Sequence, residues 1–415
     1  MKWNRSLLLL LMVCVHLHAK EFVLTKMGVL NDSTKLQTAA IQKVIDEAAA
    51  EGGGEIVVPE GVFLTGALFF KSGTSLRVEA GGVIKGSDHI ADYPLVPSRM
   101  EGKLLEYYAA LINVKDVDGF SISGKGTING NGEKFWKYFW QYRDSLRALK
   151  QPATNLGAHR PRLLFFWRCN NLTLQDVRLC NAGFWTTHLY QCNNVVFQNL
   201  EIYSPYKPVP APSTDGIDLD VCSHVRISHC SISVNDDAVC IKGGKGPWAD
   251  TLPENGIVDH VLIEQCRFGD SHGVLTLGSE AVHARDIVMR HCTVESTAPV
   301  LRMKRRPDTP QIFEDVKIED VTGQARTLLT VMVWKQFFDM EDRTTPTPCR
   351  ISNISFSDIQ LKCSQLAEYE VTSTDEVKNF SFSHIGILAA TDSIPPALMR
   401  VSTFTEVAIN GKGIH

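Results

Sequence analysis

Three carboxylates give the first hint of chemistry: Asp215 in Ser213-Thr-Asp-Gly-Ile-Asp218, and the adjacent Asp236 and Asp237 in Asn235-Asp-Asp-Ala238. Acids brought this close cannot all ionise without strong repulsion, so at least one must hold its proton more tightly than a free aspartate, and the group titrates as a set. A protonated carboxyl near an ionised one is what hydrolysis of a glycosidic bond requires: an acid for the leaving oxygen and a base or nucleophile on the other face. On its own an Asp-Asp pair is ordinarily a solvated turn. The case for a site therefore rests on what the rest of the chain places beside it.

From about residue 120 onward one phrase recurs, apolar-x-apolar-x-x-apolar-x-apolar. It reads Leu172, Leu174, Val177, Leu179, then Val195, Phe197, Leu200, Ile202, then Val225, Ile227, Cys230, Ile232. Further copies start at Val261, Ile287, Val316, Ile354 and Phe380, and Phe120 with Ile122 opens the series. Alternation marks short strands and the two-residue gap a bend. From Leu172 on the starts are 23 to 38 residues apart, the period of a solenoid whose units bury their apolar faces only by stacking. A right-handed parallel β-helix fits best. A leucine-rich repeat lacks its asparagine and leucine framework here, and 23 residues of this composition leave no room for a helix. Residues 31–51 differ: Asn31-Asp-Ser-Thr34 precedes an apolar face of Leu36, Ala39, Ile41, Val44, Ile45 and Ala48 that ends at Gly52-Gly53-Gly54. This predicts a helix capping the exposed end of the solenoid, with 20–95 forming the cap and first coils of a single domain over 20–415.

The repeat gives the acids neighbours. Twenty-one residues, nearly one coil, separate Asp215 from Asp236; Asp236 lies six residues after Cys230, and His272 six after Cys266. His272 is thus expected one coil beyond Asp236. In the same register Lys242, Gly278 and Lys304 share one ladder, and Arg302 shares a side of its strand with Lys304, Met303 facing away. Arg offers a planar fork and Lys a point charge, both suited to a carboxylate ligand. Arg305 and Arg306 read as a solvated edge. The net charge of −4 argues against nucleic acid and would repel a polyanion, so a local basic patch is needed to recruit an acidic sugar.

The apolar run Leu7–Val15, after Lys2 and Arg5 and before Ala19, has the layout of a secretory leader removed at residue 19 and is too short to cross a bilayer. This predicts a secreted or periplasmic protein; Cys14 after Val13 is a poor fit to a lipoprotein site. Of the 11 cysteines, ten follow the leader. None forms a CxxC pair or zinc spacing, and Cys230, Cys266 and Cys292 recur at one place in the repeat, so most are expected as apolar core, with Cys349 and Cys363 as exceptions.

Thr214-Asp-Gly-Ile-Asp218, Asp236-Asp237, His272-Gly273 and Arg302-Met303-Lys304, in this order, resemble the polygalacturonase family of glycoside hydrolases, family 28, in its bacterial-type branch. The likeness runs from the cap helix to the last repeats. It implies a right-handed parallel β-helix that hydrolyses α-1,4 galacturonide bonds in pectic glycans with inversion and without a metal; no other cofactor is expected, and the protein is expected to be a monomer. It also implies roles: Asp236 as general acid, Asp215 and Asp237 activating water, His272 supporting the acid, and Arg302 with Lys304 holding a galacturonate carboxylate; the ladder adds Lys242 as a third candidate for binding substrate. Three positions depart from the pattern: Ser213 for Asn, Ser271 for Gly and Met303 for Ile. The rhamnogalacturonan hydrolases resemble this family too, but tend to lose the histidine and the arginine.

Two inserts, Glu133–Pro161 with its Trp and Tyr residues and Gly243–Asn255 with Trp248, are expected as loops walling one end of a groove, which would favour action at chain ends. Trp185 and His188 are candidates for either groove or core. Two other readings use the same residues: a pectate-type lyase with calcium on the three carboxylates, and a non-catalytic carbohydrate-binding β-helix.

Overall fold

The computed structural model describes residues 20–414, so the leader read at 1–19 lies outside the described residues. The recurring phrase is a rung. Ile122, Leu174, Phe197, Ile227, Ile263, Met289, Ile318, Phe356 and Phe382 pair in succession, each in parallel with the next, and all are buried. Strands of this kind stack ~4.8 Å apart, so each apolar side chain lies on its counterpart and the column becomes a continuous core. The chain winds as a right-handed parallel β-helix. One wall and its bend form a 21-stranded sheet and the remaining wall a ten-stranded one.

The two-residue gap in the phrase is a left-handed bend. Its second residue has positive φ in coil after coil: Asp176, Asn199, His229, Gln265, His291, Asp320, Asp358 and His384. Asn, Asp and His tolerate that conformation better than branched residues, and Asn199 donates to Asp176 across one step of the column at 2.6 Å. Antiparallel pairing occurs in a side hairpin, Leu95–Met100 with Lys103–Tyr108, and where Ser402–Ile409 meets Lys412–Ile414.

The cap helix spans Thr38–Ala50 and buries Ile41, Val44, Ile45 and Ala48. Its apolar face is narrower than expected: Leu36 precedes the helix and Leu36 and Ala39 are exposed. Gln37 stands at its start, while Asp32 closes a turn on the Thr34 amide instead of capping the helix. All ten described cysteines are free and buried, Cys349 and Cys363 included, so the two expected exceptions belong to the core with the rest. The insert Glu133–Pro161 is not a loop throughout. Glu133–Ala148 is a helix burying Phe135, Trp136 and Phe139; its aromatic residues, read as groove lining, include the stripe that seats it on the solenoid.

Removing a rung side chain leaves a cavity that flanking coils cannot fill, because strand spacing fixes their positions. Phe197→Ala is expected to destabilise the protein by about 3–5 kcal/mol in urea unfolding; a loss below about 1 kcal/mol would contradict the continuous-core account.

Candidate active site

The ten-stranded sheet carries most of the candidate residues. Its strands Ile217–Asp220, Asp237–Lys242, Gly273–Leu277 and Leu301–Arg305 lie side by side. Register pairs Asp218 with Cys240, Cys240 with Thr276, and Thr276 with Arg302. Asp237 pairs with Gly273, so Asp236 precedes it opposite His272, as the repeat count required. Asp215 lies two residues before its strand, and the Gly216 amide donates to the Asp237 carbonyl at 2.9 Å. Asp215, Asp236, Asp237, His272, Lys242, Arg302 and Lys304 all line one cleft of about 540 Å³.

Asp237 is the most tightly held of the three acids, with its side chain 1% exposed. One carboxylate oxygen accepts from Thr276 Oγ1 at 2.9 Å and Arg302 Nη1 at 3.2 Å, and the other accepts from Lys304 Nζ. Burial would raise its pKa; Lys304 and Arg302 outweigh burial and lower it. Gly273 makes this meeting possible. A Cβ there would lie 2.2 Å from Thr276 Oγ1, 3.0 Å from Asp237 Oδ1 and 3.1 Å from Arg302 Cδ.

Asp236 and His272 form the second unit, with carboxylate oxygen and Nδ1 3.3 Å apart. Burial pushes the Asp236 carboxyl up, but His272, Lys304 and Arg302 hold it well below the usual carboxylate range. Burial pulls the His272 imidazole down, and Asp236 raises it above its ordinary value. The pair thus shares one proton, which these opposed shifts place toward the imidazole.

Asp215 behaves in the opposite way. Burial, then Asp218 and Asp236, push its pKa well above the ordinary value, and Asp218 beneath it is pushed up to about 7, chiefly by burial. Lys242 Nζ is the local countercharge, 3.6 Å from Asp215, 3.3 Å from Asp218 and 3.5 Å from Glu280. It also sits over the Trp185 ring at 4.3 Å. Lys242 therefore acts first on the acids of its own protein. Asp215, Asp237 and Cys240 offer ligand atoms within 4.8 Å of one another. Lys304 on Asp237 and Lys242 near Asp215 already supply the positive charge a metal would bring, so this grouping fits a protein-neutralised acid cluster better than a cation site.

Other sequence expectations sort differently. Trp185 lines the cleft; His188 lies beneath it, fully buried against Arg162 at 2.7 Å, with burial holding its pKa down to about 3. Arg305 and Arg306 are not a solvated edge: both are fully buried, paired with Asp375 and Asp308. The Gly243–Asn255 insert does not line the cleft; Trp248 Nε1 donates to Asp342 at 2.9 Å on a separate surface. Phe139, Trp140 and Arg143 of the second helix wall the cleft, with Glu101 at the hairpin tip and Trp334, Gln336 and Phe337 from a later loop. Trp334 lies under both cations, 5.4 Å from Arg302 and 4.8 Å from Lys304. Glu101, the Trp334 loop and Tyr206, which also lines the cleft, lie outside the repeat, so no register argument reaches them; Glu280 is in reach two residues after Gly278.

The shared proton is directly measurable. In an NMR titration His272 is expected to titrate above the ordinary histidine value, and Asp236→Asn is expected to bring it down. A midpoint that ignores the substitution would break the pairing.

A curated exopolygalacturonase of Platanus acerifolia is 23% identical, covering 75% of each chain. An exo-poly-alpha-D-galacturonosidase of Dickeya chrysanthemi is 26% identical over 80% of this chain and 60% of its own. Against a matched Vitis vinifera protein, 29% identical, the chain spans about half of the relative's length, 54%. Among solved structures, an exopolygalacturonase from Thermotoga maritima superposes with a TM-score of 0.77 over 95% of this chain and 92% of that one, at 24% identity, which supports the fold. The sequence model named "Glycosyl hydrolases family 28" matches residues 50–397, and with that span the chain belongs to glycosyl hydrolase family 28.

Proposed function

We propose that the protein hydrolyses α-1,4 galacturonide bonds of pectic polysaccharide or oligosaccharide with inversion and without a metal, acting at chain ends. The observation that carries this reading is the convergence of Asp215, Asp236, Asp237, His272, Arg302 and Lys304 on one cleft. The Asp236–His272 pair holds the proton that the leaving sugar oxygen needs: His272 passes it to the Asp236 carboxylate, and the resulting carboxyl delivers it as general acid. Asp215 and Asp237 activate the attacking water. Burial makes Asp215 a stronger base than a free carboxylate, and Asp237 stays ionised between its cations. Arg302 and Lys304 both line the cleft, two cations side by side for a galacturonate carboxylate.

Action at chain ends is supported by the walls. The second helix, the Glu101 hairpin tip and the Trp334–Phe337 segment close around the acids, where an open groove would admit the middle of a polymer. Relatives named for exo-acting enzymes agree with this, although an endo-polygalacturonase of Pectobacterium carotovorum is 26% identical over 71% of this chain. The leader expected from the sequence at 1–19 fits export to where pectic glycans occur. Among the described residues no helix is long and apolar enough to cross a membrane.

Asp236→Asn is expected to lower kcat on oligogalacturonides by about 10³-fold while leaving substrate binding intact; a non-catalytic binding protein would lose neither. The proton sits on a raised histidine, present below its pKa and lost above it, so activity should fall as pH rises through that value, and His272→Ala should move the alkaline limb to lower pH. On polygalacturonate, monomer or dimer release with slow viscosity loss is expected, unaffected by EDTA and without ultraviolet-absorbing product. Rapid viscosity loss with mixed oligomers would refute chain-end action, and an absorbing, chelator-sensitive product would indicate a lyase.

A further inference from the structure

The 21-stranded sheet has a second concavity, far along the chain from the acids. It encloses about 700 Å³ and is lined by residues of the last coils, among them Lys317, Ser355, Lys378, Ser381, Arg400 and Thr403. Register explains its shape. Lys317 pairs with Ser355, Ser355 with Ser381 and Ser381 with Thr403. A cation is followed by three short hydroxyl side chains on successive coils, so the surface drops into a trough. Three strand spacings of ~4.8 Å make it ~14 Å long, running along the solenoid axis.

The rim is cationic. Lys317, Lys378 and Arg400 are exposed, and among the described residues none has a carboxylate within salt-bridge distance. Earlier coils of the same sheet behave differently. There Glu264 lies between Arg226 and Arg290, Asp259 meets Arg285, and Arg178 meets Glu201. The acid at the trough, Asp315, accepts from Asn353, which in turn accepts from Asn379. Three unanswered cations above a floor of hydroxyls match a ligand that carries both carboxylates and hydroxyl groups. Protein interfaces are depleted in Lys and Ser, and among the described residues that line the trough the aromatic one, Phe380, is buried, so it offers no platform for a nucleic-acid base.

We propose that this trough binds an acidic polysaccharide as an accessory site, holding polymer on the enzyme away from the cleft. The identity of that glycan as galacturonan rests on the function proposed above. The test is affinity electrophoresis of the whole protein through gels containing polygalacturonate, dextran or dextran sulfate, comparing wild type with Lys317→Gln/Lys378→Gln/Arg400→Gln. The triple variant should fold, since these side chains are exposed and make no ion pair; circular dichroism checks this, and Lys317→Gln/Lys378→Gln serves as the milder version. Polygalacturonate should retard wild type, and the variant should lose about tenfold in apparent affinity. Its kcat/KM on a trigalacturonide should stay at the wild-type value while KM for the polymer rises. Equal retardation of both proteins would overturn the trough alone, even with trigalacturonide cleaved normally. Retardation by dextran sulfate as strong as by polygalacturonate would replace a carboxylate-glycan site with plain polyanion attraction. Loss of retardation in a protein that cleaves no galacturonide would instead overturn the substrate reading and leave the trough standing.

Discussion

A buried carboxylate remains an anion only if cations reach it, and in this protein they reach Asp237 from later coils. Lys304, Arg302 and Thr276 converge on its two oxygens, and Gly273 keeps the rung between them clear. Removing either cation would leave a charge stranded in low dielectric, which costs more than the pair itself stabilises. The arrangement depends on strand register. A one-residue slip would turn each of these side chains to the other face, and the buried apolar column through Leu219, Ile241, Leu277 and Met303 of the same strands prevents that slip. Core and site are therefore one constraint seen from two sides of the same wall.

Within that frame the three acids are driven apart in proton affinity. Asp237 is lowered by its cations, Asp236 by His272, and Asp215 is raised by burial beside Asp218. This separation is what acid–base hydrolysis needs, and it follows from different neighbours on one scaffold rather than from different residue types. Lys242 moderates the raised end by standing among Asp215, Asp218 and Glu280. Burial opposes ionisation of Glu280, but Lys242 and Arg306 bring it down to about 2, so its charge in turn holds Lys242 in place.

The solenoid also sets what surrounds the site. Loops leave the coils at the cleft, and their lengths vary without disturbing the stack, which is why the walls come from segments as different as a helix, a hairpin tip and the Trp334 loop. The wall of the 21-stranded sheet instead varies only in side chains. Where Lys317 gives way to Ser355, Ser381 and Thr403, that variation alone produces a trough.

The repeat phrase by itself determined the coil, the rungs and the placement of Asp236 against His272, because period-two alternation and a fixed strand spacing leave one way to stack the units. The same count aligned Lys242, Gly278 and Lys304. Short-range pattern could not fix what happens between rungs. The helix at Glu133–Ala148 lay hidden in an aromatic insert, since aromatic residues serve a groove and a buried face equally well. Arg305 and Arg306 looked solvated because their partners, Asp375 and Asp308, meet them only in the folded chain. Which acid keeps its proton was likewise decided by tertiary structure: charge in a protein answers to burial and to neighbours a few ångströms away, and neither is written in the order of the residues.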